Sequence, residues 1–213
     1  TDWGYMAFIK RMIHWKDKGY EVRAAVESTG NTRYFRNRLV KAGIEVKIVN
    51  TVKFKVVNES VKKTDKHDAR TLAEFLEKDI LPESILCSQE SEDIRRLLKS
   101  RSVLVKALVS LKNQVHGLLL GYGIESRRGQ LQSKKERQRI LDGLADHKSY
   151  GNAARAVKPL LDTIDQIASE VKEIERALSD LIAADEDVAL LQTIPGVGLI
   201  TAATVRAYTD DIN

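Results

Sequence analysis

The sequence predicts an α/β layer followed by an all-α region, and three patterns carry that expectation. Helix and strand signals alternate over residues 1–90, and two long apolar seams with spacings of three and four occupy residues 91–187. A turn of two glycines around one valine marks the last segment, 188–213. Each stretch is expected to form its own domain.

In the first stretch, residues 3–18 carry apolar side chains at 5, 6, 8, 9, 12, 13 and 15, a roughly helical period that stops at Gly19. Residues 21–26 are short and apolar-rich, as a buried strand is, and Gly30 follows. A helix is expected over 32–42, with Gly43 as its C-terminal cap. Residues 44–49 alternate cleanly and read as a second strand. Thr64, whose hydroxyl can cap a helix, starts another that runs to about Ile80, before Pro82. Helices between strands imply a largely parallel sheet.

In the second stretch, Leu97, Leu104, Leu108, Leu111, Val115 and Leu118 form a heptad seam broken only at Arg101. Leu160, Ile164, Ile167, Val171, Ile174, Leu178 and Leu181 form an unbroken one. Such spacing predicts coiled-coil packing in arms ~40 Å long. Two arrangements satisfy it: an antiparallel hairpin within one chain, or a homo-oligomer, dimer or tetramer, joined through the seams. Gly121-Tyr122-Gly123 ends the first arm, and the polar, basic residues 124–158 read as a short helix with loops. Residues 190–203 resemble a helix-hairpin-helix element. Gly196 and Gly198 permit a tight turn whose free N–H groups, with the dipole of the next helix, can hold a DNA phosphate. A plain turn between packed helices fits the same residues.

Charge is distributed unevenly. Residues 95–139 hold 12 Lys/Arg against 2 Asp/Glu, whereas residues 160–187 hold 2 against 9. That asymmetry points to a nucleic-acid partner met by the basic middle, Arg95, Arg96, Lys99, Arg127, Arg128, Lys134 and Lys135 above all. A solvated basic helix beside an acidic one is the plainer alternative. The single cysteine, Cys87, cannot pair within the chain and suits a reducing, cytoplasmic setting. No run of about 18 apolar residues stands out, so no membrane partner is expected. Residues 1–4 lack the basic and apolar regions of a signal peptide.

Two places can carry chemistry. Glu27 sits immediately after the first strand, where open α/β sheets place their ligands. Asp65 and Asp68, three apart, share a helical face that Ala69, Leu72 and Leu76 continue as an apolar stripe. Carboxylates on the core side need compensation, and hard oxygen donors suit Mg²⁺ or Mn²⁺. Acids in a first helical turn also favour the helix dipole with no metal at all. His67 lies off that face and is expected in solvent.

The segments Val26-Glu27-Ser28-Thr29-Gly30 and Lys63-Thr64-Asp65-Lys66-His67-Asp68-Ala69 resemble the second, third and fourth acidic positions of the DEDD transposases. This is the insertion sequence 110 family, which includes Piv-like invertases and bridge-RNA-guided recombinases. The stretch Ile194-Pro195-Gly196-Val197-Gly198, with Thr201-Ala202-Ala203 after it, is similar to the start of that family's C-terminal transposase domain. The resemblance implies a RuvC-like domain of RNase H fold. In it, Glu27, Asp65 and Asp68 would be catalytic and would hold Mg²⁺ or Mn²⁺ at the scissile phosphate. It also implies DNA and a structured guide RNA as partners, with Lys62, Lys63, Gly196 and Gly198 joining the nucleic-acid contacts.

Two departures from the family pattern follow. The first Asp, expected on an earlier strand, is absent from these residues, and so is the serine-bearing region that would supply the nucleophile. Ser28 belongs to the first domain and does not replace it. On this reading the chain as given is a catalytically inert piece of a DNA transposase. The rivals are a non-catalytic, dimeric nucleic-acid-binding remnant of a mobile element and a RuvC-type junction resolvase. The latter would need neither the long seams nor the glycine turn.

Overall fold

A computed structural model describes residues 2–57, 65–127, 129–146 and 152–210. The chain divides into two compact units, residues 1–86 and 87–213.

The first unit is built on two parallel strands, β1 (Arg23–Glu27) and β2 (Glu45–Val49), paired in register from Arg23 opposite Glu45 to Glu27 opposite Val49. Helix α2 (Thr32–Lys41) makes the crossover between them. Side chains alternate across the sheet. Ala24, Val26 and Val46 pack with Ile9 and Met12 of α1 (Asp2–Asp17) and with Leu39 of α2. Ala25 and Val49 pack on the opposite face with Phe54 of α3 (Thr51–Val57) and with Leu72, Phe75 and Leu76 of α4 (Asp65–Glu77). With helices on both faces, the sheet buries apolar residues on both sides, Ala24 and Val26 on one and Ala25 and Val49 on the other. Helix α3 was not expected from the sequence. Asn50 sets it, accepting the Lys53 N–H at 3.1 Å through its side chain and the Phe54 N–H at 2.9 Å through its carbonyl.

The second unit is helical. Helices α5 (Gln89–Gly121) and α7 (Ala153–Leu181) pack as an antiparallel hairpin, the first of the two arrangements the seams allow. Toward the C-terminal end of α5, Val115 and Leu119 meet Val157, Leu161 and Ile164. Toward its N-terminal end, Ile94 meets Leu178 and Ile182. Arg101, the break in the first seam, donates to Glu175 across the hairpin at 2.7 Å.

The buried seam of α7 keeps the expected Ile164, Val171 and Leu178 and departs from the expected register at its ends. Val157, Leu161 and Ile182 are buried, whereas Leu160 is half-buried and Leu181 exposed. The heptad count drifts because α6 (Lys134–Asp146) covers only one end of the hairpin, through Leu144 and Ile140, and α9 (Leu199–Thr209) covers the other. Residues 124–158 hold more helix than expected: a 3-10 turn (Gln130–Gln132), α6, and the first turns of α7. Helix α5 also departs from expectation in being long and apolar enough, by length and composition alone, to cross a membrane. Lysines scattered among its leucines hid that average, and one of its apolar edges packs on α7.

The ends of the second unit are tied together. Ser88 caps α5, accepting the Ser91 N–H at 3.0 Å, while its own N–H and hydroxyl donate to Asp210, each at 2.8 Å. The Ser91 hydroxyl also donates to Asp210. These bonds, the Ser91 hydroxyl foremost, hold the Asp210 carboxyl down at about 2 against an ordinary 3.8. A depressed carboxyl stabilises the fold above its unfolded value and loses that contribution as it protonates. The second unit should therefore lose stability as pH falls from about 4 to about 2. Asp210→Asn should flatten that limb in urea titrations at successive pH values.

Candidate metal site and nucleic-acid surface

Glu27 is the last residue of β1 rather than the one after it, and its side chain is exposed. Its backbone is fixed from α2. The Thr32 hydroxyl, 2% exposed, donates to the Glu27 carbonyl at 2.6 Å and accepts the Thr29 N–H at 2.6 Å. Thr32 had only been expected to begin a helix. The signal available in the sequence was a threonine five residues after a strand-end acid, across a Ser-Thr-Gly turn.

Asp68 lies in the first turn of α4 and is half-buried, on one face with half-buried Leu72 and buried Leu76. Ala69 is exposed, so the stripe runs through 68, 72, 75 and 76 and leaves Ala69 beside it. His67 is exposed, as expected. Asp65 is the first residue of α4, but its side chain, like Lys62, Lys63 and the expected cap Thr64, lies outside the described residues.

The direction of α4 relates the two acids. Asp79, just beyond the end of α4, approaches Arg23 at the start of β1 (3.8 Å) and Lys47 (2.6 Å), while Leu72 of α4 and Ala25 of β1 pack on one apolar cluster. Helix and strand therefore run antiparallel, so the start of α4 lies toward the end of β1. Glu27 and Ala25 point to the same sheet face, the one α4 covers. Lys47 ties the far end, donating to Asp79 and to Glu83 at 2.7 Å. Those bonds raise its ammonium above the usual lysine value, and in return lower Asp79.

Glu27 and Asp68 supply oxygen donors of the kind Mg²⁺ or Mn²⁺ takes. Among the described residues, however, no three of His, Cys, Asp and Glu gather closely enough to hold a metal.

In the second unit the basic residues fall into two groups. Arg95 is half-buried: its Nε donates to the Ala207 carbonyl at 2.8 Å and its guanidinium stacks 4.7 Å from the Tyr208 ring centre. Arg96 pairs with Glu92, and with Asp93 at 3.1 Å. Both arginines therefore anchor structure first. Lys99, Arg127, Lys134 and Lys135 are exposed, and Arg128 lies outside the described residues.

Helix α8 (Glu186–Gln192) and α9 form the expected hairpin. Asp185 caps α8 at the Val188 N–H (3.0 Å) and accepts Arg206 of α9 at 2.8 Å. Gly196 takes φ +87°, which favours glycine, but Gly198, at φ −91°, is extended and has no atom within 4 Å of a would-be side chain. Neither backbone nor packing requires a glycine at 198. The first α9 turn bond is Ala202 N–H to Gly198 carbonyl, 3.0 Å. The amides of residues 199–201 thus sit at the open helix start.

A family model described as Transposase, of the DEDD type of IS110, matches residues 5–124, more than half of the chain. The transposase for insertion sequence element IS1111A of Coxiella burnetii is 28% identical over 191 residues, 88% of this chain and 51% of that protein. The transposase for IS1328 of Yersinia enterocolitica is 27% identical over 189 residues, 88% and 54% respectively. A probable family 20 transposase of Pseudomonas aeruginosa is 26% identical over 192 residues, 88% and 55%. The chain thus spans about half the length of the curated relatives it matches. With more than half its residues matched by that model, the chain belongs to the DEDD transposase family of the insertion sequence 110 type.

Proposed function

We propose that this chain serves the metal-dependent cutting and joining of DNA by an insertion-sequence transposase, with Glu27, Asp65 and Asp68 as ligands for Mg²⁺ or Mn²⁺. The observation that supports the reading is the contact of Asp79, beyond the end of α4, with Arg23 at the start of β1, a course of the helix that suits Asp68 at its start sharing a site with Glu27 at the strand end. On this reading the first unit is a RuvC-like domain of RNase H fold. A divalent cation supplies positive charge where negative charge gathers on a phosphate undergoing displacement. The chain's own part is to hold those carboxylates in place. Thr32 fixes the backbone at Glu27, and the packing of Leu72 and Leu76 fixes the helix that carries Asp68.

Exposed Lys99, Arg127, Lys134 and Lys135 support contact with nucleic-acid backbone, as Lys62, Lys63 and Arg128 do by charge alone. A glycine at 198 that the fold does not demand supports close approach of a phosphate to the start of α9. A structured guide RNA enters as partner through the family resemblance and the same basic side chains. A homo-oligomer would join through Leu104, Leu108, Ile167 and Ile174, which the hairpin leaves half-buried. The setting proposed is cytoplasmic.

The test is strand cleavage by a version extended to the length of the curated relatives. Mg²⁺-dependent nicking of element-end DNA should fall on the order of a thousandfold in Glu27→Gln and in Asp68→Asn. Undiminished nicking in either variant would overturn its role. The exposed basic side chains of the second unit also suit a second reading, a non-catalytic nucleic-acid-binding remnant. On that reading the wild-type protein itself shows no nicking while DNA binding persists.

A further inference from the structure

Two lysines from a basic stretch and one from an acidic helix converge on a single cleft. Lys112 of α5, Lys134 at the start of α6 and Lys172 of α7 line a cavity of about 510 Å³ between these helices, with Arg137, Asp165 and Ser169. Lys172 is one of only two cations in residues 160–187, where nine acids stand. Its helix turns it, however, to the side where the basic arm offers Lys112. Among the described residues the one carboxylate lining the cleft is Asp165, and Arg137 answers it. The three lysines are left as net positive charge.

The wall of this cleft is also built rather than incidental. Arg137 is 8% exposed, and its guanidinium is held in orientation by bonds to the Leu131 carbonyl and to Asp165. A guanidinium fork fixed in this way presents its remaining donors without losing side-chain freedom on binding. Lys134 and Lys172 are exposed at the rim and Lys112 is half-buried. Three ammonium groups around a fixed guanidinium, with the Ser169 hydroxyl beside them, match the oxygens of a phosphodiester better than any apolar or cationic ligand.

We infer that this cleft binds the phosphodiester backbone of a nucleic-acid strand, gripping it between the two long helices at the α6 end of the hairpin. The inference rests on the nucleic-acid reading above but assigns a particular site within it, with Lys112, Lys172 and Arg137 as contacts beyond the basic surface already named.

The test uses the 213-residue chain and fluorescent 30-mers of duplex DNA, single-stranded DNA and RNA, titrated from 50 to 300 mM salt. The triple variant Lys112→Gln/Lys134→Gln/Lys172→Gln is compared with Lys10→Gln/Lys41→Gln/Lys78→Gln, an equal charge change on exposed lysines of the first unit. Expected for the cleft variant is an affinity loss of about tenfold or more near 0.1 M salt, and a salt slope lower by about 2 on the preferred probe. The control variant should move little. The probe that shows the loss identifies the strand, and melting curves report whether each variant remains folded. Wild-type binding with equal losses in both variants, or with none in the cleft variant, would overturn the cleft while leaving nucleic-acid binding intact. No wild-type binding to any probe would overturn both.

Discussion

Leu178→Ala should destabilise the unit of residues 87–213 by about 4 kcal/mol, the cost of removing a fully buried leucine and leaving most of its cavity unfilled. Leu178 is the meeting point of Ile94 from α5, Ile182, Val188 from α8, and Ala202, Ala203 and Ala207 from α9. Three of those neighbours are alanines, whose side chains cannot swing into a vacancy, so the penalty should fall in the upper part of the usual range for such changes. Leu181→Ala is the informative comparison. The heptad count places Leu181 in the seam, but it is 38% exposed in the structure and should cost under ~1 kcal/mol. Urea midpoints of the two variants distinguish the observed seam from the one the spacing suggested.

The second large effect is expected at Arg137. Arg137→Ala removes the donor to the Leu131 carbonyl and the partner of Asp165, at a site where Arg137 is 8% exposed. Losing a buried charge-assisted bond while leaving a buried carbonyl without this donor costs about 2–3 kcal/mol. The Asp165 side chain, 43% exposed, can be rehydrated, which keeps the figure below that of a wholly buried pair. Arg137→Lys should recover only part of the loss, because one ammonium cannot reproduce the two-directional fork. The measurement is again the urea midpoint, with Asp165→Ala completing a double-mutant cycle whose coupling should be about 1 kcal/mol.

Much of the fold could be read from residue periodicity. The first strand announced itself as a short apolar run and the second as an alternation; β2 begins one residue later than expected, and β1 begins two later and ends one later. The hairpin turn at 193–198 was legible because a left-handed conformation at Gly196 calls for glycine. Periodicity named Ile164, Val171 and Leu178, which are buried, but not the ends of the seam. Those depend on α6 and α9, which cover opposite ends of the hairpin, where Leu161 and Ile182 are buried in place of Leu160 and Leu181. Net charge likewise marked residues 95–139 as basic but could not separate Arg95, committed to Ala207 and Tyr208, from exposed Lys99 four residues later. The cleft residue Lys172 was hidden for the opposite reason, since its neighbours in sequence are acidic and its neighbours in space are not.

In the candidate metal site, Glu27 and Asp68 were visible as acids at a strand end and a helix start. Their relation was not. It depends on the antiparallel course of α4, which the contacts of Asp79 with Arg23 and Lys47 define at the far end of the helix. Thr32 escaped notice because a threonine opening a helix is ordinarily read as part of that helix's own start. Here its hydroxyl reaches back to the strand and holds the carbonyl of Glu27.

The central claim, a carboxylate metal site at the end of β1, is tested most directly by calorimetric titration of Mn²⁺ into the 213-residue chain and into Glu27→Ala, Asp65→Ala and Asp68→Ala. The account predicts saturable binding in the wild type that weakens at least about tenfold in each variant, as removal of a charged oxygen ligand requires. Identical isotherms in all four proteins, or no saturable binding in the wild type, would contradict it and reduce the acids to helix-start and strand-end charges.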